Sequence, residues 1–195
     1  ISDLLGREQT KAHTDLLKVK IFDKVVLVTG AGGSIGSELC RQIVYIKPKK
    51  LLLFEINEFS LYQIEQELNK LKLNKVEIIP ILGSIRDRER VETICNYYKV
   101  ETIYHSAAYK HVPLVEFNQS EGLLNNVIGT MSIAQAAINA NVKTFVLIST
   151  DKAVRPSNTM GATKRVAELI LQAFSKLSNN TCFTMVRFGN VLNSS

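Results

Sequence analysis

Apolar residues recur along the chain in two alternating rhythms. Continuous apolar runs of strand length occupy Val25–Thr29, Leu51–Phe54, Val76–Leu82, Thr102–His105, Thr144–Ile148 and Cys182–Arg187. Between them, Ser34–Ile46, Glu58–Lys72, Asp87–Tyr98, Ser120–Asn141 and Gly161–Leu177 place apolar residues three and four apart, which predicts helices. Asn57 is the expected N-cap of the second helix, with Leu61, Ile64, Leu68 and Leu71 as its buried stripe. Six strands alternating with helices predict an α/β fold, a doubly wound parallel sheet buried on both faces. Such a sheet binds ligands beyond the carboxyl ends of its strands. Residues 1–22 show no sustained period and read as a linker packing loosely on one domain over 23–195.

The Ser120–Asn141 helix is apolar on more than one face, through Leu123, Leu124, Val127, Ile128, Met131, Ile133, Ala134, Ala137 and Ile138. A helix of this kind is buried or sits in a subunit interface, so a homo-oligomer through it and the Gly161–Leu177 helix is expected. With 195 residues, 46% of them hydrophobic, the chain can bury one sizeable core. No apolar run reaches the length of a membrane span. The net charge of +6 comes from scattered lysines and arginines. Scattered charge suits an anionic small molecule, and nucleic acid is not expected as a partner. Cys40, Cys95 and Cys182 lack any CxxC spacing and read as buried, reduced thiols of a cytosolic domain.

Directly after the first strand stands Gly30-Ala31-Gly32-Gly33-Ser34-Ile35-Gly36. Gly30 allows a tight turn, Gly33 lets backbone approach a pyrophosphate, and Gly36 lets the following helix sit close to the sheet. The amides at that helix start, with Ser34 and Ile35, would face phosphate oxygens. Glu55 ends the second strand 19 residues after Gly36, the context a dinucleotide site requires. A carboxylate there bonds both ribose hydroxyls and repels a 2′-phosphate, which favours NAD over NADP. Ser84 and Ile85 follow the third strand, where adenine would lie. Ala107 and Ala108 follow the fourth, leaving room for ribose and diphosphate. His105 reads as a hydrogen-bonding strand end, and no residue cluster suggests a metal.

The segments TGAGGSIGSE, HSAAYKHVP, NNVIGT, STDKAVRPSNTMGATK and VRFGNVLNS together resemble an extended short-chain dehydrogenase/reductase of the Rossmann type. More narrowly, they resemble the membrane-anchored nucleotide-sugar 4,6-dehydratases of the PglF/CapD type. The DLLGRE stretch resembles the join that follows an N-terminal membrane region in those proteins. That implies a location on the cytoplasmic side of the inner membrane for the whole protein, reached through a region outside this chain. The start at Ile1 and the stop at Ser195 imply a soluble fragment whose C-terminal substrate domain is largely absent. Such a fragment is expected to bind NAD and to be inactive alone.

The resemblance implies UDP-N-acetylglucosamine as substrate and its 4-keto-6-deoxy derivative as product. It implies oxidation at C4, elimination of water across C5 and C6 with retention at C5, and return of the hydride to C6. Lys152 would be the C5 base, Asp151 the acid, and Thr150 a partner of the sugar near O4. Lys164 would hold the nicotinamide ribose, and Asn126 would support the site from behind. Lys110, His111, Arg187 and Asn190 would face the substrate. Two departures stand out. Met160 occupies the place where most of the superfamily has a tyrosine base, and a thioether cannot take that proton. Asp151, through water or Thr150, is then expected to take over. Ser84 replaces the aspartate common at the adenine end. Other readings are a non-catalytic NAD-binding sensor or scaffold, and a nucleotide-sugar 4-epimerase or reductase, which needs no Asp-Lys pair.

Overall fold

The computed structural model describes residues 13–71 and 76–191. Six parallel strands form one sheet in the order β3-β2-β1-β4-β5-β6, with β1 at Val25–Thr29, β2 at Lys50–Glu55, β3 at Glu77–Leu82, β4 at Thr102–His105, β5 at Thr144–Thr150 and β6 at Cys182–Phe188. The doubly wound sheet is therefore as expected. Strand order reverses between β1 and β4, where Thr29 pairs with His105 on one side and Phe54 on the other. This register brings the ends of three strands into one row, and a crevice opens at such a reversal.

Alternation along β1 divides the core. Val26 and Val28 pack with Cys40, Ile43, Val44, Leu61, Ile64 and Leu68 of α2 (Ser34–Tyr45) and α3 (Glu58–Lys70). Leu27 points the other way, to Val91 and Cys95 of α4 (Arg88–Tyr98), Ile133 and Ala137 of α7 (Thr130–Asn139), and Ala167 and Leu171 of α8 (Thr159–Leu177). All five residues of β1 are buried, as two-sided burial demands. The outer strands β3 and β6 are largely exposed, because each has a neighbour on one side only. Pro80 lies in β3, where a missing backbone donor is tolerated at a sheet edge.

Several boundaries shift for local reasons. Asn57 caps α3 by accepting from the Ser60 amide at 2.9 Å, but Leu71 lies past the helix end and is 37% exposed. Asp87 is the cap of α4 rather than its first residue, accepting from Arg90 N at 3.1 Å. Cys182 opens an edge strand and is exposed, unlike buried Cys40 and Cys95. The segment expected as linker carries α1, Thr14–Ile21, anchored by buried Ile21. The DLLGRE stretch lies outside the described residues.

A short helix, α5 (Val112–Phe117), precedes the expected Ser120–Asn141 helix, which is present without a break as α6 (Gln119–Leu123), a π-helical turn over Leu124–Gly129 and α7. Asn118, at φ −132° and ψ 53°, breaks the chain between α5 and α6. The wide turn coincides with Asn126, whose side chain is bonded to the backbone of Tyr109. Leu123 and Met131 are exposed on this segment, while Val127, Ile133, Ala134 and Ala137 are core. No helix among the described residues is long and apolar enough to cross a membrane.

Candidate active site

The chain leaves β1 at Gly30 with φ +66°, where a Cβ would lie 2.7 Å from the backbone of Ala107. Only glycine meets both demands without strain. A Cβ on Gly36 would collide with the Gly30 carbonyl, so α2 starts hard against the turn. Gly33, the residue before α2, has only the Gly30 carbonyl oxygen near its missing Cβ, at 3.4 Å, and lines a cavity of about 510 Å³. Ser34, Ile35, Ala108, Lys110 and His111 line the same space. The tight turn expected at Gly30 and the close approach expected at Gly36 are thus visible in their surroundings.

Glu55 ends β2, and its carboxylate is already engaged. Oε2 accepts from Gly32 N at 3.0 Å, and Oε1 accepts from the amides of Ile56 at 2.9 Å and Asn57 at 3.0 Å. It ties the glycine turn to the start of α3 while lining a small cavity with Ser84, Ile85 and Ala107. This backbone role was not legible in the sequence. It leaves acceptor capacity for a hydroxyl, since two ionised oxygens offer about four sites.

At the other end, a cavity of about 410 Å³ is lined by Ile35, Lys110, Thr150, Lys152, Met160, Lys164 and Asn190. Ile35, Ala108 and Lys110 line both large cavities, and Gly30 lines both the first and the small one. The glycine turn, the end of β2 and the end of β5 therefore line one groove. Thr150 donates to Asp151 Oδ1 at 3.0 Å. Lys152 Nζ lies 3.4 Å from the same oxygen and donates to Asn190 Oδ1 at 3.2 Å. The Thr150 hydroxyl, helped by Lys152, holds the Asp151 carboxyl below its usual range. The aspartate thus rests ionised, so it is poised to take a proton before it can give one.

Met160 and Lys164 share one face of α8 and are buried, at 3% and 6% exposure. Lys164 Nζ donates to the Ile148 carbonyl at 2.7 Å. Burial lowers its ammonium to about 8 against the opposing pull of Glu168. A Cβ on Gly161 would strike the Lys152 carbonyl, so the start of α8 is pressed onto the reacting loop. Asn126 Nδ2 donates to Tyr109 O at 2.9 Å and Thr163 Oγ1 at 3.0 Å, and its Oδ1 accepts from Tyr109 N at 2.8 Å. It braces the loop after β4 against α8.

His105 fits its expectation. Thr130 donates to Asn126 O at 2.7 Å, so its oxygen accepts from His105 Nε2 at 3.0 Å, and Nδ1 then accepts from Thr29 Oγ1 at 2.6 Å. Burial, with Lys164 nearby, pushes its pKa down to about 3, which keeps it neutral. Arg187 does not reach the groove. Its guanidinium is committed to Glu168 at 2.8 and 2.6 Å, so its predicted contact with the substrate has no support in this geometry. Sequence reasoning also missed Glu168 and Glu116. Glu116 accepts from Thr159 N at 2.6 Å and Thr159 Oγ1 at 2.8 Å, fastening α5 to the start of α8. The only signal for Glu168 was an acid four residues after Lys164, on the buried side of its helix. Among the described residues no group of histidine, cysteine and acidic side chains could hold a metal.

Residues 26–195 match the family described as polysaccharide biosynthesis protein. The chain is 46% identical over 194 residues to the capsular polysaccharide biosynthesis protein CapD of Staphylococcus aureus, covering 100% of this chain and 32% of that protein. It is 30% identical over 174 residues to a UDP-N-acetylglucosamine 4,6-dehydratase (inverting) of Campylobacter jejuni, covering 88% of this chain and 50% of the relative. Among solved structures, Pen from Bacillus thuringiensis superposes with a TM-score of 0.82 at 34% identity, covering 90% of this chain and 54% of that one. The chain thus spans about a third of the length of CapD.

Proposed function

Because the chain belongs to the polysaccharide biosynthesis protein family, we propose that it forms the cofactor and reaction half of an NAD-dependent UDP-N-acetylglucosamine 4,6-dehydratase. The observation that carries this reading is the linked set of Thr150, Asp151 and Lys152 at the end of β5 and Asn190 after β6, lining one cavity with Lys164. The groove fits NAD: Gly33 leaves room for a pyrophosphate over the start of α2, and Glu55 has acceptor capacity left for a ribose. When bound, NAD would accept hydride from C4 and return it to C6.

The chain's own residues move the protons. Thr150 passes the C4 hydroxyl proton to ionised Asp151, to which it is already bonded, so Met160 is not needed as a base. Asp151, now neutral, is the acid that protonates the departing C6 hydroxyl as water. Lys152, having released its ammonium proton to solvent once Asp151 is neutral, removes as the free amine the C5 proton made acidic by the C4 ketone, and delivers a proton to C5 as hydride reaches C6. Each proton is accounted for, and one water is lost. Lys164 holds the ribose, Asn126 braces the site, and Lys110 and His111 approach the substrate from the loop after β4. The exposed apolar residues Leu123 and Met131, with Val166 and Leu169 of α8, are the surface through which a homo-oligomer would form.

The test is mass spectrometry of the full-length protein acting on UDP-N-acetylglucosamine in heavy water. Loss of one water with one deuterium at C5 is expected, and Lys152→Ala abolishes it. Bound NAD with unchanged or merely epimerised sugar sinks the reading. The configuration at C5 in the same product separates the retention implied by the sequence resemblance from the inversion in the Campylobacter relative's name.

A further inference from the structure

Beneath the reacting groups lies a carboxylate that the proposed chemistry does not use. Glu168 stands one helical turn after Lys164 on α8 and is 0% exposed. Its Oε1 accepts from Ser149 Oγ at 2.7 Å and Arg187 Nε at 2.8 Å. Its Oε2 accepts from Arg187 Nη2 at 2.6 Å and Arg165 Nη1 at 3.0 Å. Burial by itself would raise this carboxyl, but the bonds from Arg187, Ser149 and Arg165 outweigh it and hold the group at about 2. It is a permanent anion inside the domain.

Its two arginine partners are 38% and 40% exposed, and a buried charge paired in this way is weak as a source of stability, since apolar side chains of similar volume pack as well. Its placement suggests another use. Ser149 and Arg187 are register partners at the ends of β5 and β6. Ser149 directly precedes Thr150-Asp151-Lys152, and Arg187 comes three residues before Asn190. The Lys152–Asn190 bond at 3.2 Å spans these two strand ends. Backbone pairing ends at Thr150 and Phe188, so beyond that point the sheet ladder no longer sets the gap between the two loops.

We propose that Glu168 is a positioning residue: by holding Ser149 of β5 and Arg187 of β6 with one carboxylate, it fixes the gap across which Lys152 meets Asn190. The proposal rests on the dehydratase reading only in taking Lys152 as a reacting group.

The test uses the full-length protein with Glu168→Gln, and with Ser149→Ala as a milder variant that keeps the Arg187 pair. Turnover per folded molecule should fall about tenfold or more in Glu168→Gln and severalfold in Ser149→Ala, while KM and NAD affinity stay within about twofold. Adding Ser149→Ala to Asn190→Ala should cost no further turnover, because both act through one gap. Unchanged turnover in both variants, or additive losses, overturns the proposal. A readout independent of activity is the Lys152 ¹³Cε resonance, which should move in Glu168→Gln and Ser149→Ala. If it moves in a protein that leaves the sugar nucleotide intact, the dehydratase reading falls and the positioning stands. A resonance that stays in place refutes the positioning whatever the activity.

Discussion

Lys164→Met should make the domain more stable at neutral pH while removing its grip on the cofactor. Lys164 is 6% exposed, and its ammonium has one hydrogen bond, to the Ile148 carbonyl at 2.7 Å. Burial lowers its pKa to about 8 from the ordinary 10.5, a gap that corresponds to about 3 kcal/mol of penalty for holding the charge inside. Methionine fills nearly the same volume without charge and forfeits about 1 kcal/mol of hydrogen bonding. The variant should therefore gain about 2 kcal/mol at pH 7. The sign with pH follows from proton counts. Between about 8 and 10.5 the unfolded chain keeps its lysine proton and the native state has released it, so wild-type stability rises with pH relative to the variant. The charged neighbours do not blur this, because Glu168 stays ionised at about 2 and His105 stays neutral at about 3. Urea denaturation of both proteins from pH 7 to 10 reads the difference directly. The advantage of Lys164→Met should shrink to about zero by pH 10. A gap that stays constant over that range would refute the argument. Calorimetric titration of NAD should show weakened binding in the variant at pH 7.

Two further outcomes follow from the same geometry. Relative to Glu168→Gln, the native carboxylate should add on the order of 3 kcal/mol, because its pKa falls from 4.5 to about 2. A depressed acid stabilises above its unfolded pKa, so this increment is present above about pH 5 and is lost as pH falls toward 2. Denaturation curves of the two proteins that fail to converge in acid would contradict it. Gly36→Ala drives a Cβ into the Gly30 carbonyl and should cost about 2 kcal/mol or more and abolish NAD binding; an unchanged melting temperature would count against the close approach.

Much of this protein was readable from residue order alone. The six strands, the glycine turn at Gly30, Gly33 and Gly36, and the segment carrying Asp151 and Lys152 were visible because each depends on local periodicity or on a short motif. A buried parallel strand must be apolar throughout, and a turn touching the backbone of Ala107 must be glycine. Such demands fall on neighbouring residues, so sequence expresses them. The tertiary structure decided whatever depends on partners far along the chain. Arg187 pairs with Glu168, and Glu55 holds the backbone of Gly32. The helix after Ser120 is continuous but widens into a π-helical turn at Asn126. Lys164 and Glu168 look like ordinary helix charges in the sequence. Only the folding of α8 against the ends of β5 and β6 strips their water away; that loss of solvent lowers the lysine to about 8, while hydrogen bonds from Arg187, Ser149 and Arg165 overcome the same loss and keep the glutamate ionised.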